Sequence, residues 1–385
     1  MVVYTSKLCL APMVRAGELP TRLLALRYGA DLVWGPEIID KKLVQCKRVV
    51  NNTLNTIDFV APNNNKNGDS NIVVFRTYPK EESGKLIFQL GTSTPSIAVE
   101  ATSKIIKDVD GIDVNAGCPK HFSIHSGMGA ALLKTPDKLC TILKELVEKI
   151  GNPNNKPISV KIRILDHKED TLNLVEKLCQ TGIKNLTVHC RTPIMRNREL
   201  PIRDYIPFIF DICEKNGVSL IMNGGLKNRK HFFEIKEKMK LNNKIGGMFA
   251  DCAEANPSIF SESPLYWFQV VKDYIEVANQ FDHSVHNVKY SLTRIIPGKS
   301  KLYQLITRSK SLKEINYILT NYILDNKTGE ADKVNAEKYL DECREKEKIV
   351  KQELNKLKQE QAKHKLVPDI VNATNNLKAN KRHKT

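Results

Sequence analysis

The chain has 385 residues, 41% of them apolar, so it can build a large hydrophobic core, and wholesale disorder is excluded. Lys and Arg number 60 against 43 Asp and Glu, and the resulting net charge of +17 favours a polyanionic partner. No apolar run approaches the ~20 residues of a membrane span, and residues 1–7 do not resemble a signal peptide, so we expect no membrane partner.

Eight short apolar or β-branched segments alternate with longer amphipathic segments over the first 250 residues. The predicted strands cover residues 8–13, 31–34, 85–90, 111–115, 158–164, 185–190, 219–223 and 245–250. This alternation is typical of parallel β-α units, and eight units of this length fit a closed (β/α)8 TIM barrel. An open doubly wound sheet is the alternative, but its G-x-G-x-x-G fingerprint is absent.

Helical spacing of apolar residues and start or stop signals predict helices between these strands. The predicted helices cover residues 19–28, 96–107, 137–150, 172–181, 205–216 and 229–240. The segment 51–71 is Asn-rich, with N-N-N-K-N-G at 63–68, and we expect a surface loop there ahead of the third predicted strand.

The pattern changes near Pro264, after which apolar residues recur at helical spacing with no strand between them. We therefore predict a catalytic barrel over residues 1–262 and a small helical domain over residues 263–326. Residues 327–385 are polar and charged, and we expect a solvated tail whose basic end, 378–384, either contacts RNA or is a plain solvated terminus.

The nine cysteines are scattered, odd in number and free of any C-x-x-C pair. A disulfide framework, a zinc site and an iron–sulfur cluster all need clustered cysteines, so none of them is expected. Reduced thiols of this kind are typical of a protein of the cytoplasm, the nucleus or both.

Polar residues stand at the carboxyl ends of several predicted strands, where a barrel of this type places its active site. They are Gln89, Asn115, Lys161, His189 and Asn223. Any one of them alone is more simply a satisfied core or rim residue, because buried polar groups need partners. Five together predict a ring of donors around one barrel mouth.

These donors suit a flat, polar cofactor that carries a phosphate. Gly224 and Gly225 follow the seventh strand, where phosphate sites of such barrels lie, although two glycines alone would indicate only a tight turn. Gln89 and Lys161 can bond the carbonyls and nitrogens of a ring.

Cys118 lies between Gly117 and Pro119 at the end of the fourth predicted strand. A thiol with an ordinary pKa of about 8.5 can donate a proton as a general acid, or act as a nucleophile once deprotonated. The nucleophile would need a base, and His121 or His125 could supply it. The residues alone do not separate these roles, and an inert buried cysteine is the third possibility.

At this point the sequence resembles the tRNA-dihydrouridine synthase family, and most of all its eukaryotic branch that reduces uridine 20 of the tRNA D-loop. The resemblance extends from residue 7 to about residue 298. The segments that carry it are L-A-P-M-V-R (10–15), W-G-P-E-I-I-D-K-K (34–42), D-V-N-A-G-C-P-K (113–120), V-K-I-R (160–163), V-H-C-R-T (188–192), R-N-R-E (196–199) and N-G-G (223–225).

The resemblance implies an FMN enzyme that takes its electrons from NADPH, with NADH as a further option. The flavin would pass hydride to C6 of the uracil, Cys118 would protonate C5, and Asn115 and Arg198 would face the uracil. The implied FMN-binding positions are Ala11, Pro12, Met13, Gln89, Lys161, His189, Asn223, Gly224, Gly225 and Ala250.

The family resemblance also implies a tRNA partner, bound with a flipped uridine and gripped by the helical domain, and a monomeric enzyme. Many members carry Arg directly after the strand-eight Ala, whereas this chain has Asp251, which predicts weaker retention of FMN. Two alternatives stay open from the sequence: a reductase of small pyrimidines or enones, and a tRNA binder without catalysis.

Overall fold

The computed structural model describes residues 2–62 and 71–321, together with isolated helical residues between 345 and 356. The predicted tail over residues 327–385 therefore lies outside the described residues, apart from those few helical positions. The first compact unit runs from Met1 to Gly298 and the second begins at Lys299.

The strands of the described chain follow one another in short segments. In chain order they are β1 (Leu8–Leu10), β2 (Leu32–Trp34), β3 (Ile38–Ile39), β4 (Lys47–Asn51), β5 (Thr56–Pro62), β6 (Asn71–Thr77), β7 (Leu86–Gly91), β8 (Gly111–Ala116), β9 (Ile158–Arg163), β10 (Asn185–His189), β11 (Ser219–Asn223) and β12 (Gly246–Phe249).

Eight of these strands form a closed parallel barrel. The hydrogen-bonded order is β2-β1-β12-β11-β10-β9-β8-β7, and a further pairing of β2 with β7 closes the ring. All of its pairings are parallel, and most strand residues are buried because helices cover the outside and side chains fill the inside. The predicted (β/α)8 TIM barrel is confirmed.

Helices separate the barrel strands and continue after the last of them. In chain order they are α1 (Leu19–Arg27), α2 (Asp40–Val44), α3 (Pro79–Glu82), α4 (Pro95–Ile105), α5 (His121–His125), α6 (Pro136–Leu146), α7 (Asn152–Asn154), α8 (Lys168–Cys179), α9 (Ile206–Lys215), α10 (Arg229–Lys238), α11 (Asp251–Ala255), α12 (Trp267–Gln280), α13 (Val285–Ile295), α14 (Lys301–Arg308) and α15 (Leu312–Asn321).

Helices of the first unit bury apolar residues at the spacing of one helix face. In α6, for example, Leu139, Ile142, Leu143 and Leu146 recur every three or four residues and are fully buried, which is the spacing of one helix face. The helix begins at Pro136, whose fixed φ suits the first helical position and whose missing N–H costs nothing there.

The expectation of a loop over residues 51–71 is wrong at both ends of that segment. An antiparallel sheet of β4, β5 and β6 occupies most of the described part, and residues 63–70 lie outside the description. Phe59 of β5 and Phe75 of β6 are fully buried, with ring centroids 6.3 Å apart. Apolar burial at these alternating positions outweighs the Asn-rich composition.

The helices after the barrel divide between the two units. In the first unit, α12 packs against α1, and the carbonyl of Phe281, just after α12, accepts a hydrogen bond of 2.6 Å from Arg76 Nη1. In the second, α14 contacts α15, and Leu302, Leu305 and Ile306 of α14 are fully buried. The domain division at residue 263 stays a prediction. Among the described residues no helix combines the length and apolarity that crossing a membrane requires.

Candidate active site

A cavity of about 590 Å³ opens at the carboxyl ends of the barrel strands. It brings together every predicted site residue except Arg198, which is exposed on the loop between β10 and α9 and is not part of the wall. The predicted residues on the wall are Ala11, Pro12, Met13, Gln89, Asn115, Cys118, Lys161, His189, Asn223, Gly224, Gly225 and Ala250.

Strand register explains why residues so distant in sequence meet. Asn115 on β8 lies opposite Lys161 on β9, while His189 on β10 lies opposite Asn223 on β11. Side chains of paired residues in neighbouring parallel strands share a face of the sheet, so these four groups face the cavity together.

Gln89 is oriented by a carboxylate beneath the cavity. Asp113 is fully buried, and its Oδ2 accepts a hydrogen bond of 2.7 Å from Gln89 Nε2, while its Oδ1 accepts one of 2.7 Å from Ser159 Oγ. Burial raises the pKa of Asp113 to about 6, against the opposing effects of Gln89 and Ser159, so the group is ionised at neutral pH. An ionised carboxylate only accepts, so Gln89 must turn its amide nitrogen downward and leave its oxygen for the cavity.

Lys161 brings positive charge to the same wall. Burial is the main cause that lowers its pKa to about 8, the nearby Arg163 adds to the effect, and Asp113 partly offsets it. The ammonium is therefore mostly charged at neutral pH, yet close enough to titration to respond to a ligand's charge.

His189 is a neutral imidazole in this site. Burial, followed by the charges of Lys161, Arg163 and Arg191, lowers its pKa to about 2. Arg191 Nη1 lies 3.2 Å from His189 Nε2, and since a guanidinium only donates, Nε2 accepts and the ring proton belongs on Nδ1.

Two glycines after β11 form the part of the wall nearest to His189. Gly224 has φ +112° and Gly225 has φ +65°, a region that residues with side chains rarely adopt. A Cβ on Gly224 would lie 2.8 Å from His189 Cδ2. The turn therefore needs glycine for both conformation and space, and its backbone stays open to a close ligand such as a phosphate.

The loop that carries Cys118 is held by Asn115. The side-chain Oδ1 of Asn115 accepts hydrogen bonds from the backbone N–H of Gly117 at 3.0 Å and of Cys118 at 3.1 Å. The carbonyl of Cys118 in turn accepts one of 2.9 Å from the N–H of Ala130. The thiol thus sits on a fixed backbone at the cavity wall.

The two histidines considered as bases for Cys118 lie apart from the cavity. His121 and His125 stack on each other in α5 with ring centroids 3.8 Å apart, and neither lines the cavity wall. This placement favours the general-acid role of the thiol, which needs no neighbouring base.

Several cavity residues were not predicted from the sequence. Arg163 is two residues after Lys161 on β9 and so shares its face, a periodicity that could have identified it. Tyr290 comes from α13, far along the chain, and no local signal points to it. Burial raises the pKa of Glu37, another unpredicted wall residue, to about 6.

Asp251, which stands where many family members carry Arg, does line the cavity. Its Oδ2 accepts a hydrogen bond of 3.0 Å from Asn197 Nδ2, which ties the start of α11 to the loop between β10 and α9. The carboxylate therefore has a protein partner, although its charge remains at the mouth.

A comparison with known protein families identifies the family to which this chain belongs. The family model described as dihydrouridine synthase (Dus) matches residues 9–361, which is most of the chain. The chain belongs to the dihydrouridine synthase family. The resemblance stated from the sequence motifs is thus confirmed, and the dihydrouridine synthase barrel is the part of the chain that holds the cavity.

Other dihydrouridine synthases align with most of this chain. It is 55% identical to the tRNA-dihydrouridine(20) synthase [NAD(P)+] of Saccharomyces cerevisiae over 91% of this chain and 92% of that protein. It is 47% identical to the protein of the same name from Schizosaccharomyces pombe over 81% of this chain and 64% of that protein. A human tRNA-dihydrouridine(20a/20b) synthase [NAD(P)+]-like protein is 27% identical over 71% of this chain.

Proposed function

We propose that this dihydrouridine synthase is a tRNA-dihydrouridine(20) synthase, which reduces the C5–C6 double bond of uridine 20 in the tRNA D-loop. The observation that carries the proposal is the 55% identity to the yeast enzyme of that name over nearly the full length of both chains. The cavity supports it, since donors and a thiol meet there at the barrel mouth.

The wall fits FMN as the cofactor. A cavity of about 590 Å³ is in the range of small-molecule sites, roughly 300–1,000 Å³. Gln89 offers a carbonyl oxygen to a ring N–H, Lys161 offers a cation to a ring edge, and the Gly224–Gly225 backbone offers a close approach to a phosphate. In this site the residues above would hold FMN, and the bound cofactor, reduced by NADPH or by NADH, would supply the hydride for C6 of the uracil.

The residues of the chain supply the remaining steps. Cys118 donates its thiol proton to C5 of the uracil, so that one hydride and one proton together saturate the double bond. Asn115 fixes the backbone of Cys118 through its two hydrogen bonds, which holds the thiol in one place. Lys161 keeps positive charge beside the reacting ring.

The substrate is a folded tRNA, so the uridine must leave its stack to reach the cavity. We expect the uracil to contact Asn115 on the wall and Arg198 on the loop beside it, and the predicted domain over residues 263–326 to hold tRNA backbone. The net charge of +17 supports binding to a polyanion. The enzyme acts as a monomer in the cytoplasm, the nucleus or both, with no metal.

The experiment that tests this function replaces Cys118. Cys118→Ala should keep the yellow flavin colour of the purified protein, because the thiol is not needed to hold the ring. It should lose most of the dihydrouridine formed on unmodified tRNA, by about 10²–10⁴-fold, the usual contribution of a general acid. Nucleoside mass spectrometry of the tRNA measures the product.

Three controls separate the alternatives. Full activity of Cys118→Ala contradicts the acid role. Reduction of free uridine at the rate of tRNA contradicts the tRNA specificity and favours a small-molecule reductase. A colourless wild-type protein that binds tRNA but no flavin indicates a binder without catalysis.

A further inference from the structure

The backbone of the loop between β10 and α9, residues 190–205, is held by hydrogen bonds from two arginine side chains. Arg163 Nη1 donates to the carbonyl of Thr192 at 3.0 Å. Arg191 donates from Nε to the carbonyl of Glu199 at 2.8 Å and from Nη2 to that of Asn197 at 2.9 Å. Both guanidinium groups belong to buried residues, 8% and 6% exposed, so these charge-assisted bonds hold the loop backbone in place.

The same loop carries the two most exposed large apolar side chains of the described residues. Ile194 is 83% exposed and Leu200 is 86% exposed. A single exposed apolar residue needs no explanation. Here, however, two lie on one short loop whose backbone is braced, so their exposure does not result from a loosely packed segment.

Basic side chains lie between these apolar ones. Arg196 and Arg198 are both exposed on the loop, and Lys120 and Lys227 line the neighbouring cavity. An apolar pair beside free guanidinium groups suits a partner with flat apolar faces and a negatively charged backbone, which describes unpaired nucleotides.

The same end of the barrel presents further exposed apolar groups. Val14, 49% exposed, follows β1 and lines the cavity, and Phe122, 50% exposed, lies on α5 directly after the Cys118 loop. Loops that follow barrel strands share one end of the barrel, so these groups and the β10–α9 loop face the same incoming molecule.

We propose that Ile194 and Leu200 pack against the faces of the tRNA bases next to the extruded uridine, while Arg196 meets the adjoining phosphates. The inference rests on the proposed function, because only a tRNA substrate brings unstacked bases to this mouth. When one base leaves a stack, its neighbours expose apolar faces, and inserted Ile or Leu side chains are a known way of covering them. The braced backbone holds both side chains ready before binding.

The test uses the full-length flavoprotein and an unmodified tRNA transcript. Ile194→Ser combined with Leu200→Ser should weaken tRNA binding about tenfold, the typical effect of losing contacts with one or two bases. The slope of log affinity against log salt should stay as in wild type, because no charge is lost. Arg196→Gln should instead lower that slope by about one.

A matched control keeps the test specific. Val50, 56% exposed, lies on β4, two residues after Arg48. Arg48 Nε pairs with Asp108 Oδ2 at 2.7 Å, and Asp108 comes just before β8. This part of β4 therefore lies at the end of the barrel strands opposite to the cavity. Val50→Ser removes a similar exposed apolar group and should leave tRNA binding unchanged. FMN affinity of the apoprotein, followed by flavin fluorescence, should be equal in all these variants and wild type.

Each other outcome overturns the inference. Wild-type tRNA affinity in the double variant removes the contact. An equal loss of FMN affinity shows that the two side chains stabilise the site itself. A wild-type dimer that the double variant converts to a monomer assigns the apolar pair to a second copy of the chain. Failure of the proposed function is distinct, since then the wild-type protein forms no dihydrouridine in tRNA.

Discussion

Asp113 shows how one buried charge can set the recognition chemistry of a neighbour. It contacts no ligand, since it does not line the cavity, yet it decides which end of the Gln89 amide points downward. An acceptor left in the cavity pairs with a ring N–H, whereas an amide NH2 would pair with a carbonyl. The buried Asp113 thus determines which ligand groups Gln89 can bind in the cavity.

We predict that Asp113→Asn weakens FMN binding to the apoprotein about tenfold, since Asn offers either an oxygen or an N–H and no longer fixes the Gln89 orientation. In a Gln89→Met background the same change should have no further effect. Flavin fluorescence quenching gives both affinities as a double-mutant cycle.

The control for this cycle is Ser159→Ala, which removes a different donor to Asp113 and leaves Gln89 oriented. Its FMN affinity should stay near that of wild type. Additive losses in the cycle would mean that Asp113 acts through Lys161 instead, whose pKa its charge helps to hold up.

The turn after β11 needs glycine at position 224 for two reasons, its positive φ and its close contact with His189. Gly224→Ala should lower the free energy of unfolding more than the same change at Gly217, a residue that follows α9. Both positions have positive φ, but nothing lies within 4 Å of a Cβ on Gly217, whereas one on Gly224 meets His189. We expect a loss of about 1–2 kcal/mol at Gly217 and a larger one at Gly224.

Urea unfolding of the two apoproteins measures this difference. Equal losses would show that the His189 ring moves aside at little cost. In that case the glycine would serve only the backbone conformation.

The link between α11 and the β10–α9 loop bears on cofactor retention. Asp251→Arg should raise the FMN content of the purified protein, because a cation replaces an anion at the mouth. Flavin absorbance per protein gives the occupancy. Unchanged occupancy would show that the hydrogen bond with Asn197 already directs the Asp251 charge away from the phosphate.

The barrel elements were predictable from the sequence, but the small antiparallel sheet was not. The barrel strands are short apolar runs between helices with clear start signals such as Pro136, so pattern and fold agree. In β4 to β6 the Asn-rich composition indicates a loop, although buried and exposed positions alternate there and Phe59 and Phe75 are fully buried. That burial depends on packing beyond the segment itself, which composition does not reveal.

The candidate site was predictable where it follows the strand ends. The closed topology alone brings those positions together, which is why twelve of the thirteen predicted residues line one cavity. Arg198 lies outside the wall because the path of the β10–α9 loop depends on buried hydrogen bonds, such as those of Arg191, that no local pattern encodes. Tyr290 reaches the wall through the packing of α13 against α11 and α12, where its hydroxyl donates to Glu254 Oε1 at 2.7 Å.

The stability of the whole barrel should depend on pH through His189. Its pKa is about 2 when folded against about 6.5 when unfolded, so below pH 6.5 the unfolded chain takes up a proton that the folded chain does not. The free energy of unfolding therefore falls with pH in this range. By pH 5.5 the expected loss from this group is about 1.4 kcal/mol.

Asp113 and Glu37 oppose this trend, because their raised pKa values let the folded chain bind protons first as the pH falls toward 4. The comparison of wild type with His189→Asn isolates the histidine. Between pH 7.5 and 5.5 the variant should lose about 1.4 kcal/mol less in urea unfolding than wild type. Parallel losses in both proteins would show that the folded imidazole takes up its proton at the same pH as the unfolded one.

Closure of the barrel by the β2–β7 pairing leaves its eight strands without a free edge between them. The outer sheet differs, since β4 is an end strand and its Val49 and Val50 are 42% and 56% exposed. Such an edge is a template on which another chain can add a strand and start aggregation. Lys47 begins this same strand, and its exposed charge disfavours the approach of a second copy, whereas the charge of Arg48 is paired with Asp108.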